Sequence, residues 1–233
     1  METGSTLDLA RLHIVVPAYC EAKVVGETVR TLRKLYPHVI VVDDGSADDT
    51  REQARRAGAT VVRHPVNLGQ GAALQTGFEF ALERGAEFIA TFDGDGQHTA
   101  TDLTKMLAIL IEKDLDIVLA SRFLGAEAIS LPWARRLVIK AALLFTNLTS
   151  GLHLTDTHNG LRVMTARTAR KLNIQQNRMA HASEILNRIA RLRLKYQEVP
   201  ATISYSRYSL NKGQKIGGSI RILTDLIVAL LAR

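Results

Sequence analysis

Short apolar runs alternate along the chain with segments whose apolar residues recur every three or four positions. The runs, at residues 13–17, 39–42, 60–63, 87–92 and 116–121, are typical of buried β-strands. The intervening segments, at residues 21–34, 47–57, 67–84 and 101–113, have the spacing of helices that cover a core. This alternation predicts an α/β fold with a mainly parallel sheet and helices on both faces.

Loop residues at positions 17–19, 43–45, 67–69 and 93–95 follow the carboxyl ends of four of the predicted strands. Because the carboxyl ends of parallel strands share one edge of a sheet, and ligands collect at that edge, we expect these residues to line one site. Gly69-x-Gly71 resembles part of a dinucleotide-binding loop. It follows the third strand rather than the first and lacks the full glycine spacing, so this alternative receives little weight.

The segment 91–98 contains the clearest candidate chemistry. Asp93 and Asp95 are two residues apart, so both side chains point to one face of an extended backbone. Two like charges at that spacing repel, and a hard divalent cation, Mg²⁺ or Mn²⁺, explains them best. Gln97 supplies a further neutral oxygen or a hydrogen bond. Taken alone, the segment is equally compatible with an Asp-Gly turn that closes a hairpin.

Composition and charge narrow the class of protein. The 233 residues, 46% apolar and 23% charged, fit one globular domain. Residues 161–233 contain 14 Lys/Arg and 3 Asp/Glu, a net charge of +11, whereas residues 1–160 have a net charge of −4. The basic part suggests nucleic acid or an anionic membrane as a partner. A nucleic-acid-binding module leaves the paired aspartates unexplained, and 5% aromatic residues are too few for base stacking.

The cysteine count and the hydropathy pattern suggest a cytoplasmic protein. The lone Cys20 excludes an internal disulfide and a cysteine-based zinc site, and it fits a reducing compartment. Residues 1–10 do not have the pattern of a signal peptide, and no segment reaches about 18 uninterrupted apolar residues. Residues 215–232 are amphipathic, so we expect this segment to lie on a membrane or pack on a partner.

Six motifs of the chain resemble those of the family-two glycosyltransferases, and within them the dolichyl- and polyprenyl-phosphate sugar transferases. The resemblance covers about residues 12–205. The motifs are VPAYCE at 16–21, VDDGSADDT at 42–50, NLGQGAA at 67–73, DGDGQH at 93–98, SRF at 121–123 and DTHNGLR at 156–162. One departure is Cys20, which stands where Asn is usual in the family.

The resemblance implies a glycosyltransferase A-type (GT-A), Rossmann-like fold and metal-dependent, inverting transfer from a GDP- or UDP-sugar. It assigns Mg²⁺ or Mn²⁺ to Asp93, Asp95 and Gln97. It assigns the donor to Pro17, Tyr19, Glu21, Val42, Asp44, Asn67 and Asp93. A carboxylate after a strand suits a ribose hydroxyl or a base N–H, and a cation neutralises the charge that develops on the leaving nucleoside diphosphate.

The resemblance also implies a polyprenyl-phosphate or lipid-linked acceptor, as in cell-envelope glycan synthesis. Such a phosphate is already anionic and needs little help from a base, and Arg122, Arg136 and Arg207 are the candidates to receive it. The alternative acceptor is a saccharide hydroxyl, for which Asp156 would be the general base. The segment 206–215 departs from the acceptor loop usual in relatives, so both acceptors stay open. Asp95, Arg122 and Asp156 are the candidate catalytic residues.

Two further alternatives concern individual residues and the enzyme class. His98, His158 and His181 could contact phosphate or a metal, but a lone histidine is usually structural, so only His98 beside the carboxylate pair is favoured. A sugar-phosphate nucleotidyltransferase would share a similar α/β fold. That class usually has a glycine-rich, lysine-containing loop after its first strand, and residues 17–21 form no such loop.

The expected organisation has three parts. Residues 1–10 form a flexible N-terminus, residues 11–205 the GT-A catalytic domain, and residues 206–233 a basic loop with an amphipathic helix. We expect the protein to associate peripherally with the inner face of the membrane, directly or through a small membrane protein, because its basic C-terminal third suits anionic lipid.

Overall fold

The computed structural model describes residues 7–94, 96, 98–124, 143, 151–156, 159–178 and 180–201. Within them, one sheet is formed by the strands β1 (Leu12–Ala18), β2 (His38–Asp43), β3 (Thr60–Arg63), β4 (Phe88–Thr91), β5 (Ile117–Ser121), β6 (Arg162–Thr165) and β7 (Tyr196–Pro200). The described α-helices are α1 (Val25–Arg33), α2 (Thr50–Arg56), α3 (Gln70–Glu83), α4 (Ala100–Glu112), α5 (Ala166–Leu172) and α6 (His181–Arg191).

The strand order in the sheet is β3-β2-β1-β4-β6-β5-β7. All neighbouring strands are parallel except β6, which runs antiparallel to both β4 and β5. The predicted mainly parallel α/β sheet is therefore confirmed. The reversed strand was not predicted.

The reversed direction of β6 brings its preceding segment to the functional edge. Arg162, the first residue of β6, lies opposite Thr91 at the end of β4 and opposite Leu119 of β5. Strand β6 therefore begins at the edge where β4 and β5 end. The chain therefore leaves the sheet after β5 and re-enters it in β6 at the same edge, which brings Gly160 to the ends of the parallel strands.

Each face of the sheet is covered by helices over its own apolar cluster. On β1, Ile14 and Val16 pack in one cluster with α1 and α4, whereas Val15 packs in the other with α3, α5 and α6. All three side chains are fully buried. Burial on both faces explains why this strand is a continuous apolar run rather than an alternating one.

Two helices begin later than the sequence pattern predicts, because side chains and turns occupy their first residues. The helix expected over residues 21–34 is α1, since residues 21–24 form a turn in which Val24 N–H donates to the Glu21 carbonyl. The helix expected over residues 47–57 is α2, which starts at Thr50, where the Asp48 carboxylate accepts from the Thr50 N–H. None of the described helices is long and apolar enough to span a membrane.

Candidate active site

A cleft of about 480 Å³ opens at the edge of the sheet where β1, β2 and β4 end. It is lined by six of the seven residues predicted to bind the donor, namely Pro17, Tyr19, Glu21, Asp44, Asn67 and Asp93. The seventh, Val42, is fully buried beneath the cleft, because its side chain points to the face of β2 that α3 covers. The strand pattern thus brings these residues together, while their binding roles stay a prediction.

The loop after β1 is held by hydrogen bonds to the loop after β2. Cys20 donates its N–H to Ser46 Oγ at 2.9 Å, and Glu21 donates its N–H to Thr50 Oγ1 at 2.8 Å. Cys20 has a φ of 54°, in the left-handed region that Asn adopts more readily than most residues. An Asn at this position would adopt this backbone conformation with less strain.

Asp44 ties the end of β2 to the loop that opens α3. Its Oδ1 atom lies 2.7 Å from His64 Nδ1 and accepts from Leu68 N–H at 2.9 Å, and its Oδ2 atom accepts from Gly69 N–H at 2.7 Å. His64 is itself oriented by Thr76 Oγ1, 2.9 Å from its Nε2 atom. Both carboxylate oxygens of Asp44 are therefore engaged by groups of the protein itself, and these hydrogen bonds hold the loop before α3 at the edge of the cleft.

Asp93 lies at the centre of the cleft, with a side chain about 30% exposed. Its oxygens lie 3.3 Å from Gln70 Nε2 and 3.2 Å from His98 Nε2. Burial opposes ionisation, but the hydrogen bond with His98 and the positive charge of Arg162 hold the pKa of Asp93 below its usual value. Asp93 is therefore a carboxylate at neutral pH.

Close packing around Asp93 requires a glycine on the opposite wall. A Cβ atom on Gly160 would lie 2.3 Å from Asp93 Oδ2. Only a residue without a side chain fits at that distance. This contact gives a physical role to the glycine of the DTHNGLR motif.

The donor set around Asp93 fits a hard divalent cation in part. A carboxylate oxygen that faces a polar cleft is a ligand that Mg²⁺ and Mn²⁺ prefer. Asp95 and Gln97, the other predicted ligands, lie outside the described residues. Within the described part of the chain, no group of three or more His, Cys, Asp or Glu side chains could hold a metal ion.

The loop between α5 and α6 forms the second wall of the cleft and contributes Arg178 and His181. It packs directly on the start of α3, where Gly71 N–H donates to the Asn177 carbonyl at 2.8 Å. A Cβ atom on Gly69 would lie 2.2 Å from that carbonyl oxygen. The two walls of the cleft therefore touch through their backbones.

A buried ion pair joins the end of β5 to the loop before β6. The Arg122 guanidinium donates to both Asp156 oxygens, from Nε at 2.7 Å and from Nη2 at 2.8 Å, and the Arg122 N–H also donates to Asp156. The Asp156 side chain is fully buried, whereas that of Arg122 is 19% exposed. Asp156 therefore fixes the orientation of Arg122.

Glu198 on β7 holds the segment that carries Asp156. Its carboxylate accepts from the N–H groups of Thr155 and Asp156, at 2.7 and 3.1 Å. Burial raises the pKa of Glu198, although these N–H groups oppose the shift. Hydrogen bonds to the Glu198 carboxylate thus attach residues 155 and 156, in the segment before β6, to strand β7.

Arg162 lies in the wall of the cleft with only 3% of its surface exposed. Burial lowers the pKa of Arg162, while the negative charges of Asp93 and Asp156 oppose that shift. A guanidinium keeps its proton in such surroundings. Arg162 therefore provides a fixed positive charge between the two carboxylates.

Several predicted site residues lie outside the described part of the chain, namely Asp95, Gln97, His158, Arg136 and Arg207. The cleft also contains Gln70, Arg162 and Arg178, to which sequence reasoning assigned no role, and His181, which was considered as a phosphate or metal contact but not favoured. The sequence signal for Arg162 was its position as the last residue of the DTHNGLR motif. Arg178 and His181 carried no such signal, because only the packing of their loop on α3 brings them to the cleft.

The structure resembles solved glycosyltransferases. Glucosyl-3-phosphoglycerate synthase from Mycobacterium tuberculosis, in complex with Mg²⁺ and uridine diphosphate, matches with a TM-score of 0.66 and 19% identity, over 93% of this chain and 78% of that chain. The same enzyme with Mn²⁺, uridine diphosphate and glucosyl-3-phosphoglycerate matches with a TM-score of 0.65 and 19% identity, over 90% and 76%. The fold is therefore of the GT-A type, as predicted.

Relatives match over nearly the full length of the chain. An uncharacterised protein of Methanocaldococcus jannaschii is 34% identical, over 93% of this chain and 91% of that protein. The UDP-N-acetylglucosamine–dolichyl-phosphate N-acetylglucosaminyltransferase of Methanococcus voltae is 27% identical, over 93% and 95%. The undecaprenyl-phosphate mannosyltransferase of Micrococcus luteus is 29% identical, over 90% and 89%.

The family model for glycosyl transferase family 2 matches residues 13–172. The chain belongs to this family and is a glycosyltransferase. The resemblance drawn from the sequence motifs is therefore confirmed. Membership in the family favours sugar transfer over the nucleotidyltransferase and nucleic-acid-binding alternatives.

Proposed function

We propose that this enzyme transfers a sugar from a nucleotide-sugar donor to the phosphate of a polyprenyl-phosphate lipid. The observation that carries the choice of acceptor is the ion pair of Asp156 with Arg122. A saccharide hydroxyl needs a general base, and Asp156 was the candidate. A fully buried carboxylate held by a guanidinium is poorly suited to accept a proton, whereas a phosphate acceptor needs no such base.

The reaction is a single displacement that inverts the anomeric carbon. An oxygen of the acceptor phosphate attacks that carbon and forms the new C–O bond. The bond between the carbon and the diphosphate oxygen breaks, and its electron pair leaves with the nucleoside diphosphate. No proton needs to be removed from an acceptor that is already anionic.

The donor would lie along the first wall of the cleft. Glu21 and Asp44 mark the end assigned to the base and ribose, and Asp93 marks the place of the diphosphate. Asp93, together with Asp95 and Gln97, would hold Mg²⁺ or Mn²⁺. The cation would neutralise negative charge on the leaving diphosphate. Arg162 adds a buried positive charge on the opposite wall, which favours the same developing charge.

Arg122 is the described candidate for the acceptor phosphate. Asp156 fixes its guanidinium, so less conformational entropy is lost when a phosphate binds. Arg122 keeps part of its surface exposed, and a guanidinium can form paired hydrogen bonds with phosphate oxygens. Arg136 and Arg207 are proposed to contribute to the same site. The relatives named for lipid-phosphate acceptors support this assignment.

An assay with defined acceptors tests the proposal. The enzyme is incubated with Mn²⁺ and either UDP-N-acetylglucosamine or GDP-mannose, each with a radiolabelled sugar, and with undecaprenyl phosphate in detergent. Extraction of the label into organic solvent, dependent on the lipid phosphate, is the expected result. Matched reactions contain undecaprenol or a free oligosaccharide. Transfer to either hydroxyl acceptor, but not to the lipid phosphate, would refute the assignment.

We further propose that residues 11–205 form the catalytic domain and that residues 206–233 attach it to the inner face of the membrane, directly or through a membrane protein. The net charge of +11 after residue 160 supports this proposal. Each basic residue near anionic lipid contributes about 1 kcal/mol, and the attraction decays over about 8 Å at physiological salt. Binding should therefore weaken as salt rises.

Co-sedimentation with vesicles tests direct attachment. Vesicles with and without phosphatidylglycerol are mixed with the full chain and with a chain that lacks residues 215–233. Salt-sensitive binding of the full chain to anionic vesicles, lost on truncation, is expected. Direct docking is refuted if the full chain stays in the supernatant at low salt, or if truncation unfolds the protein.

A further inference from the structure

The imidazole of His181 is a buried group that faces the cleft. His181 is the first residue of α6, and only 3% of its surface is exposed. Its Nδ1 atom lies 2.7 Å from the carbonyl oxygen of Arg178. A carbonyl oxygen only accepts hydrogen bonds, so Nδ1 carries the hydrogen.

The other ring nitrogen of His181 is available to a ligand. Among the described residues, Nε2 has no hydrogen-bond partner, and His181 lines the cleft. Burial and the positive charge of Arg162 lower the pKa of His181. The ring is therefore neutral at neutral pH, and Nε2 presents a lone pair that accepts hydrogen bonds.

The surrounding backbone fixes the position of the ring. A Cβ atom on Gly71 would lie 2.9 Å from that of His181, so the start of α3 touches the base of the side chain. Glu184 accepts from Gln176 N–H at 2.7 Å and from Gln175 N–H, which holds the loop before α6. An acceptor placed in this way loses little entropy when it binds a ligand.

The acceptor lies close to where the sugar of the donor must be. In a nucleotide sugar the anomeric carbon is bonded directly to the diphosphate, which the proposed function assigns to Asp93. Asp93 and His181 both line this cleft. The other polar side chains that line this wall, Arg162 and Arg178, can only donate hydrogen bonds.

We propose that His181 is a sugar-binding residue whose Nε2 atom accepts a hydrogen bond from a hydroxyl of the transferred sugar. A hydroxyl both donates and accepts, so a wall that combines one neutral acceptor with two guanidinium donors suits a sugar better than donors alone. This inference rests on the proposed function. It adds a contact to the sugar itself, separate from contacts to the nucleotide.

Isothermal titration in the presence of Mn²⁺ separates the sugar contact from the nucleotide contacts. Dissociation constants are measured for UDP and UDP-N-acetylglucosamine, and for GDP and GDP-mannose. In H181L, binding of the preferred nucleotide sugar should weaken about five- to tenfold, as expected for one buried hydrogen bond. Binding of the matching nucleoside diphosphate should stay unchanged.

Two further variants keep the test decisive if H181L folds poorly. The amide oxygen of Gln in H181Q reaches the position of Nε2, so this variant should keep most of the affinity for the nucleotide sugar. The oxygen of Asn in H181N is nearer the position of Nδ1, so this variant should lose it. H13L removes a buried histidine from the opposite edge of the sheet and should change neither dissociation constant.

Four results would overturn the inference, the last of them together with the proposed function. Equal weakening of nucleoside diphosphate and nucleotide sugar would assign the ring to the diphosphate or the cation. Equal affinities in H181Q, H181N and wild type would assign it no binding role. If the wild type binds UDP and GDP but gains nothing from either sugar, the sugar contact is wrong while the nucleotide site stands. Failure of the wild type to bind any of the four ligands would overturn the proposed function as well.

Discussion

The N-terminal half of the sheet, β1–β4, and the C-terminal half, β5–β7, hold their buried acidic groups in different ways. In the first half, Asp44 accepts hydrogen bonds from His64 and from two backbone N–H groups. In the second half, Asp156 is paired with the guanidinium of Arg122, and Arg162 adds another buried cation. The buried carboxylate beside the cleft in the first half is thus stabilised largely by backbone N–H donors. The one in the second half is stabilised by buried positive charge.

This difference predicts which substitutions change ligand binding and which change the stability of the fold. A carboxylate held by backbone N–H groups can be neutralised without leaving an opposite charge unpaired. A carboxylate that pairs with a buried guanidinium cannot, because the remaining cation then lacks its counter-charge. Neutralising a carboxylate of the first half should therefore change ligand binding and turnover, whereas neutralising Asp156 in the second half should also change stability.

The largest expected effect is on Asp93 in the first half. Asp93→Asn removes a charge from the centre of the cleft and keeps the side-chain volume. Turnover should fall at least about a hundredfold, since charge stabilisation at such a site is commonly worth that much. The thermal transition should fall less than that of Asp156→Asn, because Asp93 is about 30% exposed and is not hydrogen-bonded to a guanidinium among the described residues. Steady-state sugar transfer and a thermal melt measure both quantities.

Asp114→Asn is the matched control, because that aspartate is exposed and pairs only with Lys195 at the surface. It should keep wild-type turnover. Turnover of Asp93→Asn within threefold of wild type would show that Asp93 has only a structural role in a turn.

Treatment with EDTA should likewise abolish transfer by the wild type, and Mn²⁺ or Mg²⁺ should restore it. Full activity after chelation would contradict the metal assignment.

The buried pair of the second half should affect folding. Asp156→Asn leaves the Arg122 guanidinium without its counter-charge and should lower the free energy of unfolding by about 3 kcal/mol. Urea denaturation measures this change. Replacing both partners, as in Arg122→Met with Asp156→Leu, should recover much of the stability but not acceptor use.

The comparison pair lies on α2, where Glu52 binds Arg55 and Arg56 at the surface. Glu52→Gln should change the free energy of unfolding little, because exposed ion pairs are screened by solvent. Equal effects of Glu52→Gln and Asp156→Asn would remove the distinction between the two halves.

A smaller effect concerns pH and a histidine of the first half. The His13 ring is buried and stacks on His38, with 4.3 Å between ring centroids. Burial, and then the charges of His38 and Arg84, lower its pKa to about 4 from 6.5. The unfolded state therefore binds the proton more readily. As pH falls from 6.5 to 4, the free energy of unfolding should decrease by up to about 3 kcal/mol and then level off.

Chemical denaturation at several pH values checks this for wild type and His13→Asn. The difference between the two curves should depend on pH only between about 6.5 and 4, since carboxylate titration is common to both. Parallel curves across that range would mean that His13 binds a proton equally well in the folded and the unfolded protein. His181 of the C-terminal half, whose pKa is also lowered by burial, contributes the same pH dependence to both curves and therefore cancels in their difference.

The smallest effect concerns backbone strain at Cys20. Its positive φ costs most residues about 1–2 kcal/mol, and Asn tolerates it better. Cys20→Asn should therefore raise the free energy of unfolding by roughly 0.5–1 kcal/mol. Cys20→Val, with a branched side chain, should lower it. A rise in stability for Val, or a loss for Asn, would show that side-chain packing rather than backbone conformation decides this position.

The first half could be predicted well because its elements are local. The run at residues 39–42 lies within β2, and the polar residues after each strand meet at one edge because parallel strands share it. The exception was the role of Asp44. Its three hydrogen bonds come from residues 20 to 25 positions later, and no local pattern reveals such partners.

The second half could be predicted only in part, because its geometry depends on distant pairings. The four residues of β6 carry no sign of their direction, which is set by pairing with β4 and β5. The pairing of Arg122 with Asp156 spans 34 positions. His181 reaches the cleft only because its loop packs on Gly71, so a lone histidine in the sequence could not be distinguished from a structural one.

The reversed direction of β6 has an evolutionary consequence. Strand β5 ends and β6 begins at the same edge, so the chain passes from one strand to the other without crossing a face of the sheet. If the proposed acceptor site is correct, exchange of residues 125–150 between relatives should change the preferred acceptor and leave nucleotide binding unaltered, because β5 and β6 keep their pairing.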